Sequence, residues 1–508
     1  VNTRIYALML ILFSALALGA CGGGGGDDST PPVSDQPDDT DDTDDTDDTD
    51  DTVTLEVPET YTFPNAEGVT TVSYTGQTKR HILIEDLVAE MNALEENLDV
   101  APEDVFGQLN FYFDFDSDSS DDITTLFNAR DLGGNAILPE NSGELTYGSI
   151  ASGKNLIGKI AGQDEPEHLI GGEFFGWEGV ANPVEMVNYF FNKLATEATD
   201  GASPQIEIAG QDEPQTVTTV TVDAQGLDYR QLVQKFLLGA VTFSQGTTDY
   251  LQTDFGSADN LAPESEGSAF GAGEHDWDEA FGYFGAARDY DQYTDDEIRN
   301  IGFKDSNPED GAIDIRSEFN FGNSTNCAKR DAGSLDGVPT DFTQEAFDAF
   351  ITGRAILREA TAQGELTAER AEQLEGYIQQ AALTWEKCVA ATVVHYINDL
   401  SADMDEFENG QFASVDNFLN MAKHFGEMKG FALGLQFSVE SPFRESDESL
   451  NNLKTLLELM GDAPVLPDGT QGGEPFQGGV DQYLADLQQA RDILQEAYDF
   501  APENVAIW

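Results

Sequence analysis

The 508-residue chain carries 96 Asp and Glu against 24 Lys and Arg, a formal net charge of −72 at pH 7. Such an acid excess excludes nucleic acid and anionic membrane surfaces as partners, because each phosphate contact needs a Lys or Arg. The plain reading is a salt-adapted extracytoplasmic surface; the sharper one is attraction for cations or basic partners.

In chain order, Arg4 and the apolar run "IYALMLILFSALALGA" lead to Leu18-Gly19-Ala20 and then Cys21. Small residues before that cysteine form a lipobox, so residues 1–20 read as a lipoprotein signal peptide and Cys21 as its acylated residue. An uncleaved anchor is the alternative, disfavoured by the cysteine that ends the run. Gly22, where Asp would retain the protein at an inner membrane, points to an outer membrane lipoprotein with a periplasmic or surface-exposed body. The lipid on Cys21 is then the membrane contact, and no later run approaches the 18 apolar residues of a spanning helix.

Residues 21–56 open with "GGGGGDDSTPPVSDQP" and continue into five copies of "DDT" at 38–52. Gly, Pro and like charges cannot bury enough surface to fold, so this segment reads as an acidic, extended tether. A weak, diffuse calcium comb is the alternative, but the repeats lack the glycine turn and fixed ligand order of a calcium loop.

The remainder, 57–508, is longer than one compact core usually holds, which favours two subdomains or one elongated bundle. Its strong periodicities are nearly all 3.6. Helices are predicted from about Thr78 to Asn97, from Pro102 to about Phe113, and over "ANPVEMVNYFFNKLATEA", where Pro183 marks a start. Others cover "DYRQLVQKFLLGAVTFSQGTTDYL", "DFTQEAFDAFITGRAILREATAQG", "TAERAEQLEGYIQQAALTWEKCVAATVVHYINDL" and the segments down to "VDQYLADLQQARDILQEAYDF". The fold class is therefore mainly α, a helical-bundle-like domain with long loops. "IAGQDEP" occurs at 160–166 and again at 208–214. Two copies do not make a solenoid; they read as loop turns or the edges of an insertion, with a small β-hairpin over 200–226.

Three constellations could carry chemistry. In "GEHDWDEAFGYFG", a helix would put His275, Asp278 and Glu279 on one face by i, i+3 and i, i+4 spacing. Imidazole with carboxylates suits iron, zinc or manganese. The structural reading is a helix start whose acids answer the macrodipole and whose aromatics pack. "KHFGEMKG" places His424 and Glu427 at i, i+3, the kind of pair that projects into bundle-core metal sites. His395 reads as a third imidazole or a satisfied core histidine, His81 and His168 as loop or surface residues. One shared metal would need His275, His395 and His424 to converge within about 8 Å, given Zn–N bonds of roughly 2.0–2.1 Å.

The third constellation, "DSNPEDGAIDIRSE", resembles a calcium loop with Asp305, Asn307, Asp310, Asp314 and Glu318 as oxygen donors and Gly311 at the turn, although Pro308-Glu309 adds a residue. A plain acidic loop is the alternative. Cys327 and Cys388 could pair as a disulfide or remain buried thiols; spacing does not decide. No G-x-S-x-G, H-E-x-x-H or phosphate-binding glycine loop is present, so nothing argues for an enzyme.

"YTFPN", "YTGQTKRHILIEDL", "HDWDEAFGYFGAARDY", "DGAIDIRSEFNFGNSTNCAKRD", "VVHYIN" and "KHFGEMKGFALGLQF" together resemble a bacterial lipoprotein family known as domain of unknown function 4856, over roughly residues 57–500. The resemblance implies a helical extracytoplasmic domain found near imelysin-like proteins and iron-uptake components, which would be its envelope partners. Gly273 to Asp278 is similar to the G-x-H-x-x-E motif of imelysin-like proteins, with Asp278 in place of Glu and Glu279 following. The expectation is a lipid-anchored, non-enzymatic protein of iron or other metal acquisition, taking Fe or Zn. The alternatives are a calcium-stabilised cell-surface scaffold holding Ca and an imelysin-like metal-dependent hydrolase.

Overall fold

Apolar residues at helical spacing, capped by small polar side chains, account for most of the architecture. The computed structural model describes residues 54–95, 98–139, 143–163, 166–200 and 203–508. The signal peptide, Cys21 and nearly all of the 21–56 tether lie outside the described residues. From Leu55 onward the chain forms one unit, and the protein is mainly helical.

Eleven described helices run nine residues or more: α1 Thr75–Asn92, α2 Pro102–Phe113, α3 Pro183–Thr199, α4 Tyr229–Leu237, α5 Ala272–Phe284, α6 Gly322–Ala332, α7 Phe342–Gln363, α8 Ala368–Asp405, α9 Val415–Gly434, α10 Asp447–Met460 and α11 Gly479–Tyr498. Their starts follow ordinary capping chemistry. Asn182 accepts from Glu185 N, Thr367 from Arg370 N, Ser414 from Asn417 N and Ser446 from Ser449 N. The long helix α8 packs against α7 and α9, and α9 against α4, so α8 and α9 form the middle of the bundle. No described helix is long and apolar enough to cross a membrane.

The polar stretch "GQTKRH" is the first departure from expectation. It forms the buried first turns of α1, which begins at Thr75 rather than Thr78. Lys79 is fully buried and donates to Asp121, Ser117 and the Ala151 carbonyl. His81 is not a loop or surface residue: its ring is buried, stacks on Phe321 and meets the Gly282 carbonyl through Nε2 at 3.2 Å. Burial lowers its pKa to about 4, so the imidazole is neutral. His168, also expected near the surface, is fully buried in a short 3₁₀ turn, Pro166–His168.

After α4 the chain widens into π turns, Leu238–Phe243 and Gln245–Asp249. Thr242, Ser244 and Thr247 donate their hydroxyls to carbonyls four residues earlier, satisfying groups that the irregular turns leave open. Gly239 lets this segment cross α9 closely, since a Cβ there would stand 2.7 Å from Gly434 Cα.

Among the described residues, three two-stranded sheets complete the structure. Gln205–Ile206 (β2) pairs antiparallel with Gln215–Thr216 (β3), the small hairpin read within 200–226. Ala136–Leu138 (β1) pairs in parallel with Ala312–Asp314 (β4), and Thr470–Gln471 (β5) pairs antiparallel with Glu474–Pro475 (β6).

On α7, a Cβ on Gly353 would lie 2.1 Å from Trp277 Cζ2. Trp277 is fully buried and fixed by its indole N–H to Phe350 O at 2.8 Å. Gly353→Ala is therefore expected to cost about 1–3 kcal/mol through overpacking, read as a lower urea midpoint at unchanged slope.

Candidate functional site

The segment Gly273–Gly285 is helix α5, and its acids divide between two environments. At 100° per residue, position 278 lies about 60° to one side of 275 and position 279 about 40° to the other. Asp278 consequently turns into the bundle and Glu279 toward the rim. Asp278 is fully buried; Oδ1 accepts from Arg354 Nε at 2.8 Å and from Tyr61 OH at 2.9 Å, and Oδ2 from Ser73 N at 3.2 Å. Glu274, also fully buried, accepts from Arg354 Nη1 at 2.5 Å and caps Gly271 N at 2.7 Å. Arg354 completes its fork on Thr71 Oγ1 at 3.1 Å and lies over the Phe63 ring. Burial raises the Asp278 pKa, with Arg354 opposing. Both Asp278 oxygens are thus engaged within a closed ion network, and the expected His275–Asp278 face is not formed.

His275 is one-fifth exposed and faces different acids. Its Nε2 stands 3.7 Å from Glu264 Oε1 and 3.9 Å from Glu279 Oε1. Glu264 was not legible as a partner. An isolated antiparallel bridge between Pro263 and Gly271 folds its loop back over the helix start. Phe270 lies beside the imidazole, ring centroids 5.0 Å apart.

The second constellation is rearranged as well. His424 Nδ1 meets Asp403 Oδ2 at 2.7 Å, and its Nε2 is 3.7 Å from Asp399 Oδ2. His395 Nε2 approaches the same Asp399 oxygen at 3.3 Å, so the two imidazoles share one carboxylate. Burial, followed by the nearby Arg330, lowers the His395 pKa to about 3. Glu427 does not join His424. It sits 3.6 Å from Lys235 Nζ and 3.7 Å from Lys423 Nζ, where two ammonium groups stabilise its buried carboxylate. His275 shares none of the partners of His395 and His424.

The 305–318 segment folds as a turn held by its own backbone. Gly311 adopts φ +66°, the left-handed conformation expected of it. Asp305 accepts from Asn307 N at 3.0 Å, and Asp310 from Asn307 Nδ2 at 2.9 Å and Ala312 N at 3.0 Å. Asp314 forks onto Arg316 at 2.8 and 2.6 Å. Glu318, the expected closing ligand, instead accepts from Ser306 N at 2.8 Å and Asp314 N at 2.7 Å. The five donors are thus dispersed over backbone amides, Asn307 and Arg316. Among the described residues, no group of three or more His, Cys, Asp or Glu side chains is arranged to hold a metal ion.

Cys327 on α6 and Cys388 on α8 form a disulfide, with Cα atoms 4.8 Å apart. A cavity of about 990 Å³ lies elsewhere, lined by Phe174, Trp177, Tyr189, Asp223, Tyr229 and Asp462 among others. Asp223 accepts from Tyr229 OH at 2.6 Å and from two backbone amides, and burial raises its pKa.

The chain belongs to the family described as domain of unknown function 4856, whose model matches residues 174–462, more than half its length. The two ends of the matched segment, Phe174 and Asp462, both line the cavity. No curated protein and no solved structure matches the chain.

Proposed function

We propose that this member of the family is a lipid-anchored, extracytoplasmic, non-enzymatic protein that takes part in acquiring iron or another transition metal at the cell envelope, with the metal as cargo. The observation that carries the reading is the placement of His275 Nε2 between two carboxylates, 3.7 Å from Glu264 and 3.9 Å from Glu279, at a partly exposed helix start. Donors around a tetrahedral metal with bonds of roughly 2.0–2.1 Å stand about 3.4 Å apart. Capture therefore asks these side chains to close by about half an ångström, and a loop carboxylate can move that far. Asp278 and Glu427 are left out of this ligand set, since each is committed to cations.

The Cys327–Cys388 disulfide supports an oxidising compartment, in keeping with the lipobox at Cys21. Calorimetric titration of chelator-treated protein with Zn(II) and, anaerobically, Fe(II) tests the reading. Saturable binding should weaken at least about tenfold in His275→Ala, a loss of about 1.4 kcal/mol. Affinity unchanged by that substitution sinks the assignment.

A further inference from the structure

The cavity of about 990 Å³ is enclosed by five stretches of chain: residues 174–178, α3, residues 223–229, the end of α10 with residues 461–463, and the β5–β6 hairpin. Five of its 19 lining residues are aromatic, against 10% of the whole chain. Its volume reaches the top of the range of roughly 300–1,000 Å³ found for small-molecule sites. The walls are fastened by the protein itself. The buried Gln436 amide clasps Phe175, accepting from its N–H at 3.2 Å and donating to its carbonyl at 3.1 Å. Asp462 Oδ2 accepts from Glu178 N at 2.7 Å, and its Oδ1 stands 3.5 Å from the fully buried Lys429 ammonium.

The groups on these walls narrow the ligand's chemistry. Asp462 is answered by Lys429, and Asp223 by Tyr229 OH and two backbone amides. Three further acids, Glu178, Glu458 and Glu474, are exposed, and their carboxylates make no hydrogen bond or ion pair among the described residues. Lys193 is exposed and likewise unpaired, and Gln225 leaves its Oε1 without a hydrogen-bond partner. An anion would be repelled by these carboxylates. A cation would find the rings already taken, since Lys193 lies over Tyr189, Lys429 over Trp177 and Lys454 over Phe175, at 5.5, 5.8 and 5.1 Å. A wholly apolar molecule would strip water from the acids without replacing its hydrogen bonds. A neutral ligand with apolar faces and many hydroxyl groups meets all three conditions.

We propose that this cavity binds a neutral saccharide. Each sugar hydroxyl is both donor and acceptor, so it donates to the free carboxylates of Glu178, Glu458 and Glu474 and accepts from Lys193 Nζ. The C–H face of a pyranose ring packs on Tyr189 and Phe175, the partly exposed aromatics of the wall. A lysine covers one face of each of these rings and leaves the other for the sugar. The site shares no residue with the His275 cluster and does not depend on the metal reading.

Titration calorimetry of the folded, disulfide-bonded protein with maltohexaose, cellohexaose, xylohexaose, mannohexaose and chitohexaose tests it, with spermidine as the cationic comparison. Saturable binding of at least one oligosaccharide is expected, and the preferred one identifies the sugar. In the double variant Glu178→Ala, Glu458→Ala, both exposed positions, that affinity should fall at least about tenfold, while the melting temperature stays near that of the unaltered protein. Tyr189→Ala should lose as much, and Tyr189→Phe, which keeps the ring, should stay within about threefold of the unaltered protein. No saturable binding of any of these sugars overturns the proposal, whether or not spermidine binds. Undiminished sugar affinity in the double glutamate variant overturns it equally, whatever the tyrosine variants do.

Discussion

Replacing Arg354 by Met is expected to lower the unfolding free energy by about 3–5 kcal/mol, the range found when one partner of a buried ion pair is removed. The side chain is fully buried and holds two equally buried carboxylates, Glu274 and Asp278, from a single guanidinium. Met fills much of the volume but leaves both acids without a cation. Asp278 already has its pKa raised by burial, with Arg354 opposing; removing Arg354 raises it further. A carboxyl whose folded pKa exceeds its unfolded one favours folding below the unfolded value and loses that contribution as pH rises through the folded one. The destabilisation should therefore be greater near about pH 8 than near about pH 5, measured by urea unfolding at both. Arg354→Lys should recover only part of the loss, because one ammonium cannot reproduce the fork onto Glu274, Asp278 and Thr71. A pH-independent loss would mean that water, not protonation, compensates the orphaned acids.

This network also explains how far the candidate site was legible. Periodicity and capping sufficed for the helices: the Pro102–Phe113 prediction coincides with α2, and Pro183 begins α3. Local spacing also located the β2–β3 hairpin. It failed where partners are remote. Asp278 meets an arginine 76 positions later and a tyrosine 217 earlier, so i, i+3 spacing from His275 misassigned its direction. Glu264 reaches His275 through a loop that folds back at one bridge, and β1 finds β4 176 positions later, from Ala136 to Ala312. Two signals in the sequence point to these remote partners. Arg354 stands in an apolar helical run, where a lone guanidinium implies a buried acid. Asp399 lies one helical turn after His395.

Opening the Cys327–Cys388 bond is the second large effect expected. The cysteines are 61 positions apart and join α6 to the central helix α8. Closing a loop of that length constrains the unfolded chain by about 4 kcal/mol in the entropy model, within the observed range of about 2–5. Both sulfurs belong to fully buried residues, so reductant should act slowly on the folded protein and freely on the unfolded one. Urea unfolding with reductant present should show a lower midpoint and a steeper slope, because the unfolded state is no longer compacted by a cross-link. The Cys327→Ala, Cys388→Ala double variant should behave alike without reductant. An unchanged midpoint under reductant would mean that two thiols, not a bond, occupy the site. Loosening α6 should leave metal capture at His275 intact, since the disulfide lies between α6 and α8 and His275 sits on α5.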